Sequence, residues 1–123
     1  YMKGKNPLSP HTPQFFSINC LPFSYNPKAK CPNFKNFLRE IQPQFSTRQF
    51  IQEWFGYNLT HDTSQQKFVV FVGGGADGKS VLLTLLGGIV GTENVSAVAL
   101  EQFCPSRTFV LYEMIGKLAN ISS

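Results

Sequence analysis

Between Phe68 and Leu86 the chain runs through an apolar pentapeptide, a glycine loop and a leucine-rich stretch, and few folds accommodate that order. Phe68-Val69-Val70-Phe71-Val72 is β-branched or aromatic throughout, which predicts a short strand buried on both faces, as a parallel sheet requires. Gly73-Gly74-Gly75-Ala76-Asp77-Gly78-Lys79-Ser80 follows and matches G-x-x-x-x-G-K-[ST]. Val81 to Leu86 then reads as a helix. A strand, a glycine loop ending in lysine and a hydroxyl, and a helix together form the context in which this pattern cradles phosphate.

Each residue type has a reason to be there. Gly73, Gly74, Gly75 and Gly78, with Ala76 and Asp77 between them, let successive backbone N–H groups curl around phosphate oxygens without bulky side chains in the way. The helix starting near Gly78 adds its unpaired N–H groups and the positive end of its dipole. Lys79 is the candidate catalytic residue, reaching the β- and γ-phosphates of ATP. The Ser80 hydroxyl is the candidate Mg²⁺ ligand.

Composition bounds the rest. With 123 residues there is room for one domain with a modest core. A hydrophobic fraction of 42%, including twelve Phe, excludes a disordered chain. No run reaches the roughly 18 apolar residues of a membrane span, because the glycine loop interrupts the only candidate. Tyr1-Met2-Lys3-Gly4-Lys5 leads into prolines rather than an apolar core, so no signal peptide is expected. Cys20, Cys31 and Cys104 form no C-x-x-C pair, and His11 and His61 are not placed as zinc partners. Reduced thiols in a cytoplasmic protein, or in host cytoplasm if the source is viral, are the expectation.

The net charge of +4 is unevenly spread. Residues 1–56 hold seven Lys and Arg against two Glu, or +5; residues 57–123 hold four basic and five acidic side chains, or −1. Seven of the eight prolines lie in the first 43 residues. The chain therefore divides near Tyr57 to Gln66 into a basic front and a nucleotide-binding back, and a basic front is compatible with nucleic acid.

In the front, residues 1–14 read as an extended arm or linker and 15–66 as a mainly helical region. Phe15 to Leu21 could form a strand, and Tyr25-Asn26-Pro27 a turn. Pro32 suits the first position of a helix whose Phe34, Phe37, Leu38 and Ile41 share one face, and Pro43 stops it. Ser46-Thr47-Arg48-Gln49 predicts a capping box, with Phe45 and Phe50 as a hydrophobic staple. Ile51, Trp54 and Phe55 continue that helix, and Gly56 is placed to end it. The aromatics of both helices are read as core rather than as a base-stacking surface. His61 and Asp62 lie in a polar connector and are given no role.

In the back, residues 67–123, the helix from Lys79 to about Leu86 is expected to end at Gly87, Gly88 and Gly91. Short helices are expected at Glu101 to Phe103 and Phe109 to Met114, and a buried strand at Leu118 to Ile121. A P-loop enzyme needs an acid at the end of a neighbouring strand to hold Mg²⁺ or its water. That strand is predicted without its acid; Glu101 and Glu113 follow no strand-like run.

From about Thr12 onward the chain resembles the helicase portion of phage- and plasmid-type primase–helicases, superfamily-3 motors with an AAA+-like core. The resemblance is carried by Tyr25 to Pro32, Phe37-Leu38, Gln52 to Leu59, the glycine loop, Leu85-Leu86-Gly87 and Gly116 to Ile121. It implies an α/β P-loop NTPase with a parallel-sheet core, truncated at the Walker B strand and preceded by a small helical region. It also implies ATP and Mg²⁺ as cofactors, single-stranded or forked DNA as partner, a homo-hexameric ring and no membrane. Where the family commonly has Asn before Gly-Lys-Ser, this chain has Asp77, whose charge should weaken phosphate binding unless it points away or pairs with a cation. The 123 residues alone are expected to be poorly stable, to bind nucleotide weakly and to hydrolyse little. A small-molecule kinase or other P-loop transferase, and a non-catalytic remnant or oligomerisation module, stay open beside the helicase reading.

Overall fold

The computed structural model describes residues 9–10, 12–103 and 105–122. The reading of residues 1–8, His11 and Cys104 lies outside them. Three α-helices carry the structure: α1 (Pro32–Ile41), α2 (Phe45–Tyr57) and α3 (Lys79–Val90). Two-residue strands β1 (Val95–Ser96) and β2 (Ala119–Asn120) pair in parallel, Val95 opposite Ala119. A short 3₁₀ segment at Thr92–Asn94 leads from α3 into β1, and two more, at Leu100–Gln102 and Pro105–Met114, lie in the crossover between the strands. No helix of the described residues is long and apolar enough to cross a membrane.

The core forms where apolar faces at helical spacing meet. Leu38 from α1, Ile51 and Phe55 from α2, Leu82, Leu86 and Val90 from α3, and Ala119 from β2 make one buried cluster. Phe34 and Phe55 stack with ring centroids 6.4 Å apart, joining α1 to α2. Each fully buried Leu or Val contributes about 1.5–3 kcal/mol, so α3, with three such residues, anchors the whole. Phe34, Phe37, Trp54 and Phe55 serve this core, as their spacing predicts, whereas Phe45 and Phe50 of α2 do not.

Pro32 opens α1, and Phe34, Phe37, Leu38 and Ile41 all face the cluster. The turn at Pro27 also forms: the Ala29 N–H donates to the Asn26 carbonyl at 3.1 Å, and the Lys28 N–H to Asn26 Oδ1 at 2.9 Å. The start of α2 differs from expectation. Its N-cap is Gln44, not Ser46, and no side chain caps it. Phe45 and Phe50 are both exposed, so the staple is absent. The Arg48 guanidinium donates to the Gln42 and Pro43 carbonyls ahead of the helix and lies 5.7 Å from the Phe45 ring centre. Gln44 is extended and Phe45 is already helical, so Ser46 lies inside the first turn, where its hydroxyl cannot serve as the N-cap. Helix α2 also runs past Gly56 to Tyr57.

Other expectations are corrected too. Phe15 to Leu21 is not a strand; Phe15, Phe16 and Ile18 are exposed. Helix α3 passes through Gly87 and Gly88 and ends at Gly91, because Leu86 and Val90 on either side are buried and hold the turn. The largest correction concerns Phe68–Val72. It is extended but pairs with no strand among the described residues, and Phe68, Val70 and Val72 are 74%, 66% and 88% exposed. Extended backbone becomes a strand only beside a partner, and the two-stranded sheet of β1 and β2 does not include it. Only Phe71 packs against the core. The strand near Leu118 to Ile121 does form, as β2; its partner β1 has no clear signal in the sequence.

Polar side chains close the structure at the far end of α3. Asn94 is buried; its Nδ2 donates to the Cys20 and Val90 carbonyls, both at 2.9 Å, and its Oδ1 accepts from Asn19 Nδ2 at 2.8 Å. Asn19 Nδ2 also reaches the Gly116 carbonyl at 2.8 Å. Asn120 extends the sheet by side chain, accepting from the Val98 N–H and donating to its carbonyl, each at 2.8 Å. Asn94 thus ties the segment before α1 to α3, and Asn19 ties the same segment to the approach to β2.

At its near end, α3 begins at Gly78, whose φ of 82° is left-handed. A Cβ there would lie 3.0 Å from both Phe37 Cζ and Ile41 Cγ2 of α1. Replacing Gly78 with Ala should cost about 1–3 kcal/mol of unfolding free energy, from backbone strain and from overpacking against α1. Urea denaturation checks this, and a neutral Gly78→Ala would refute the contact. Asn94→Leu should cost roughly 2–4 kcal/mol by leaving two carbonyls and the Asn19 amide unsatisfied. A loss within about 0.5 kcal/mol, the range of ordinary surface changes, would refute that network.

Candidate functional site

Lys79 and Ser80 are the first two residues of α3, so the local fold delivers both to a helix N-terminus. No side chain caps that terminus. Its first-turn N–H groups therefore face outward without an intrahelical partner, and with the dipole they favour an anion. Ahead of them the chain turns through three left-handed residues, Gly75 at φ 107°, Ala76 at 53° and Gly78 at 82°. Ala76 has a side chain and costs about 1–2 kcal/mol in that region. Strain of this kind is found where a loop is shaped for a ligand.

Gly73, Gly74, Gly75, Ala76 and Ser80 are exposed, while Asp77, Gly78 and Lys79 are half-buried. A cleft of about 210 Å³ opens beside the loop, bounded by Gln42, Thr47 and Phe50 from the front, Val69–Val72, and Asp77 with Lys79. The helical front and the glycine loop thus share one cavity, an arrangement that sequence spacing does not reveal. A larger apolar cleft lies on another face of α3, lined by Phe23, Val81, Thr84, Leu85 and Ile89 as well as Ser80.

The electrostatics of the loop centre on one ion pair. Lys79 Nζ lies 2.5 Å from Asp77 Oδ1 and 2.5 Å from Oδ2. The Lys79 hydrogen bond holds the Asp77 carboxyl below the usual carboxylate range, against a smaller opposing effect of desolvation. Asp77 therefore does pair with a cation, but the cation is the loop's own lysine. A legible signal existed in the opposite charges at positions 77 and 79, which the left-handed Gly78 turns toward each other.

Ser80 offers an exposed hydroxyl that could contribute one oxygen to a cation. Among the described residues no three His, Cys, Asp or Glu side chains gather into a metal site. A Mg²⁺ ion here would thus depend on ligand oxygens and water around Ser80, as such ions often do. Asn120, at the end of β2, spends its amide on Val98 and Ser96. Asp62 accepts the Ser64 N–H at 2.8 Å, and that bond lowers its carboxyl; the residue shapes a turn. Of the basic front, Lys28, Lys30, Lys35 and Arg39 are exposed, whereas Arg48 is committed to backbone carbonyls.

The chain is 41% identical over 54 residues to a protein of Acanthamoeba polyphaga mimivirus named "Putative helicase L207/L206". The matched stretch is 44% of this chain but 6% of that protein, so the chain spans a small fraction of its relative's length. No family model matches the chain, and no solved structure matches it. The likeness links the chain to a helicase-type protein over part of its length, at a coarse level.

Proposed function

We propose that Gly73–Ser80 binds the phosphates of ATP, and that the chain is the ATP-binding part of a replicative DNA helicase. The type is the primase–helicase of phages, plasmids and related mobile elements, on an AAA+-like P-loop NTPase core. The observation that carries the phosphate reading is the uncapped start of α3, with Lys79 and Ser80 in its first turn and left-handed residues before it. In this reading the backbone N–H groups of Gly73 to Gly78 cradle the phosphates. Lys79 neutralises β- and γ-phosphate charge, and Ser80 Oγ contributes a ligand to Mg²⁺. Bound nucleotide would lie against the cleft that Gln42, Thr47 and Phe50 help to wall.

The helicase part of the reading is supported by the partial likeness to the viral protein and by the primase–helicase pattern in the sequence. In it, the ring is a homo-hexamer and the partner is single-stranded or forked DNA. Exposed Lys28, Lys30, Lys35 and Arg39 supply cations for DNA phosphates.

The nucleotide site is tested by equilibrium binding of ATP and ADP. Lys79→Ala should weaken binding several-fold, because the charge-assisted contact it removes, worth about 1.5–3 kcal/mol, is partly offset by the Asp77 contact that the ligand no longer breaks. Unchanged affinity would refute the assignment. DNA contact is tested by filter binding against salt. Neutralising Lys28, Lys30 and Lys35 should make the slope of log K against log salt shallower by about 2–3. A slope near zero in the unaltered protein would refute phosphate contact.

A further inference from the structure

The Asp77–Lys79 pair occupies a particular place in the loop. A Cβ on Gly73 would run into Asp77 Oδ2 and come within 2.9 Å of Lys79 Nζ. The carboxylate and the ammonium thus lie together over the first glycine, in space that only a missing side chain leaves open. Both carboxylate oxygens are engaged with the one nitrogen. To an ammonium, a carboxylate and a phosphoryl group offer the same chemistry, compact anionic oxygens that only accept hydrogen bonds.

Among the described residues lining the cleft, none competes for either partner. The cleft walls beside the pair are Gln42, Thr47, Phe50, Ile51 and Leu82 together with Val69–Val72, and none of them is charged. Asp77 therefore has Lys79 as its cation, and Lys79 has Asp77 as its anion, among the residues that line this cleft.

The geometry points to Asp77 as a built-in occupant of the phosphate seat. Its carboxylate holds Lys79 in the empty loop, and a polyphosphate ligand binds only by displacing it. This inference rests on the reading of the loop as a phosphate site and adds the residue that sets its affinity. Two of the three Lys79 donors are committed to the Asp77 oxygens, and reaching both β- and γ-phosphates takes at least two, so the ligand gains only the difference between its own contacts and those it breaks. A displaced Asp77 also leaves a negative charge beside the incoming phosphates.

Acidification does not release the seat under ordinary conditions. A carboxyl with a lowered folded pKa keeps its stabilising charge above the unfolded value and loses it as pH falls through the folded one. The usual value is 3.8 and that of Asp77 lies below it, so the pair is intact throughout the neutral range. Release is by competing anion, not by proton.

Asp77→Asn keeps the side chain's size and removes its charge. At pH 7 it should bind ATP and inorganic triphosphate on the order of tenfold more tightly than the unaltered protein, with the gap narrowing as salt rises. If the unaltered protein binds ATP and Asp77→Asn binds it equally or more weakly, displacement is refuted while the phosphate site stands. If neither binds either ligand, the phosphate site itself is refuted, and this inference falls with it. A second measurement reads the pair without nucleotide. The Asp77 carboxyl carbon, followed by NMR, should titrate below the usual range and return to it in Lys79→Met. Ordinary titration of Asp77 in the unaltered protein would refute the pair directly.

Discussion

Helix α3 is the element through which the rest of the structure is held. Leu82, Leu86 and Val90 lie one turn apart on one face and are almost wholly buried. The first faces the helical front and the last faces the polar closure around Asn94, so one helix joins the two halves of the described chain. Hydrophobic burial is non-directional, and by itself would leave α3 free to slide or rotate. Its ends remove that freedom. Gly78 fits against Phe37 and Ile41 at one end, and the Asn94 amide ties Val90 to Cys20 and Asn19 at the other.

This arrangement explains why the glycine loop has a defined shape although much of it is exposed. The loop is the N-terminal extension of a helix whose register is fixed by its core contacts. The direction of the first-turn N–H groups follows from that register. Packing of α1 against Gly78 gives the helical front a role in shaping the loop. The same front lines the adjacent cleft through Gln42, Thr47 and Phe50, so shape and chemistry there derive from both parts of the chain.

The segment before the loop behaves differently. Phe68, Val70 and Val72 keep the composition of a buried strand while standing largely in solvent, and Phe15, Phe16 and Phe109 are similarly exposed. So much uncovered apolar surface is uncommon on a stable monomer.

Much of this protein was legible from residue order because the governing interactions are local. Pro32 at a helix start, the apolar faces of α1 and α2, the turn at Pro27 and the helix after Lys79 follow from spacing within a few residues. So did the candidate site, since Gly73 to Ser80 is one continuous motif. Other features depend on atoms far apart in sequence. Gly87 and Gly88 stayed helical because flanking residues were buried. Phe68–Val72 remained unpaired because no described strand lies alongside it. The Asp77–Lys79 contact spans only two residues, yet its seat exists because Gly73 leaves room for it. Sequence determined which groups the loop carries, since a motif is a covalent order. Tertiary structure decided which of those groups face one another, since that depends on how the chain is packed around them.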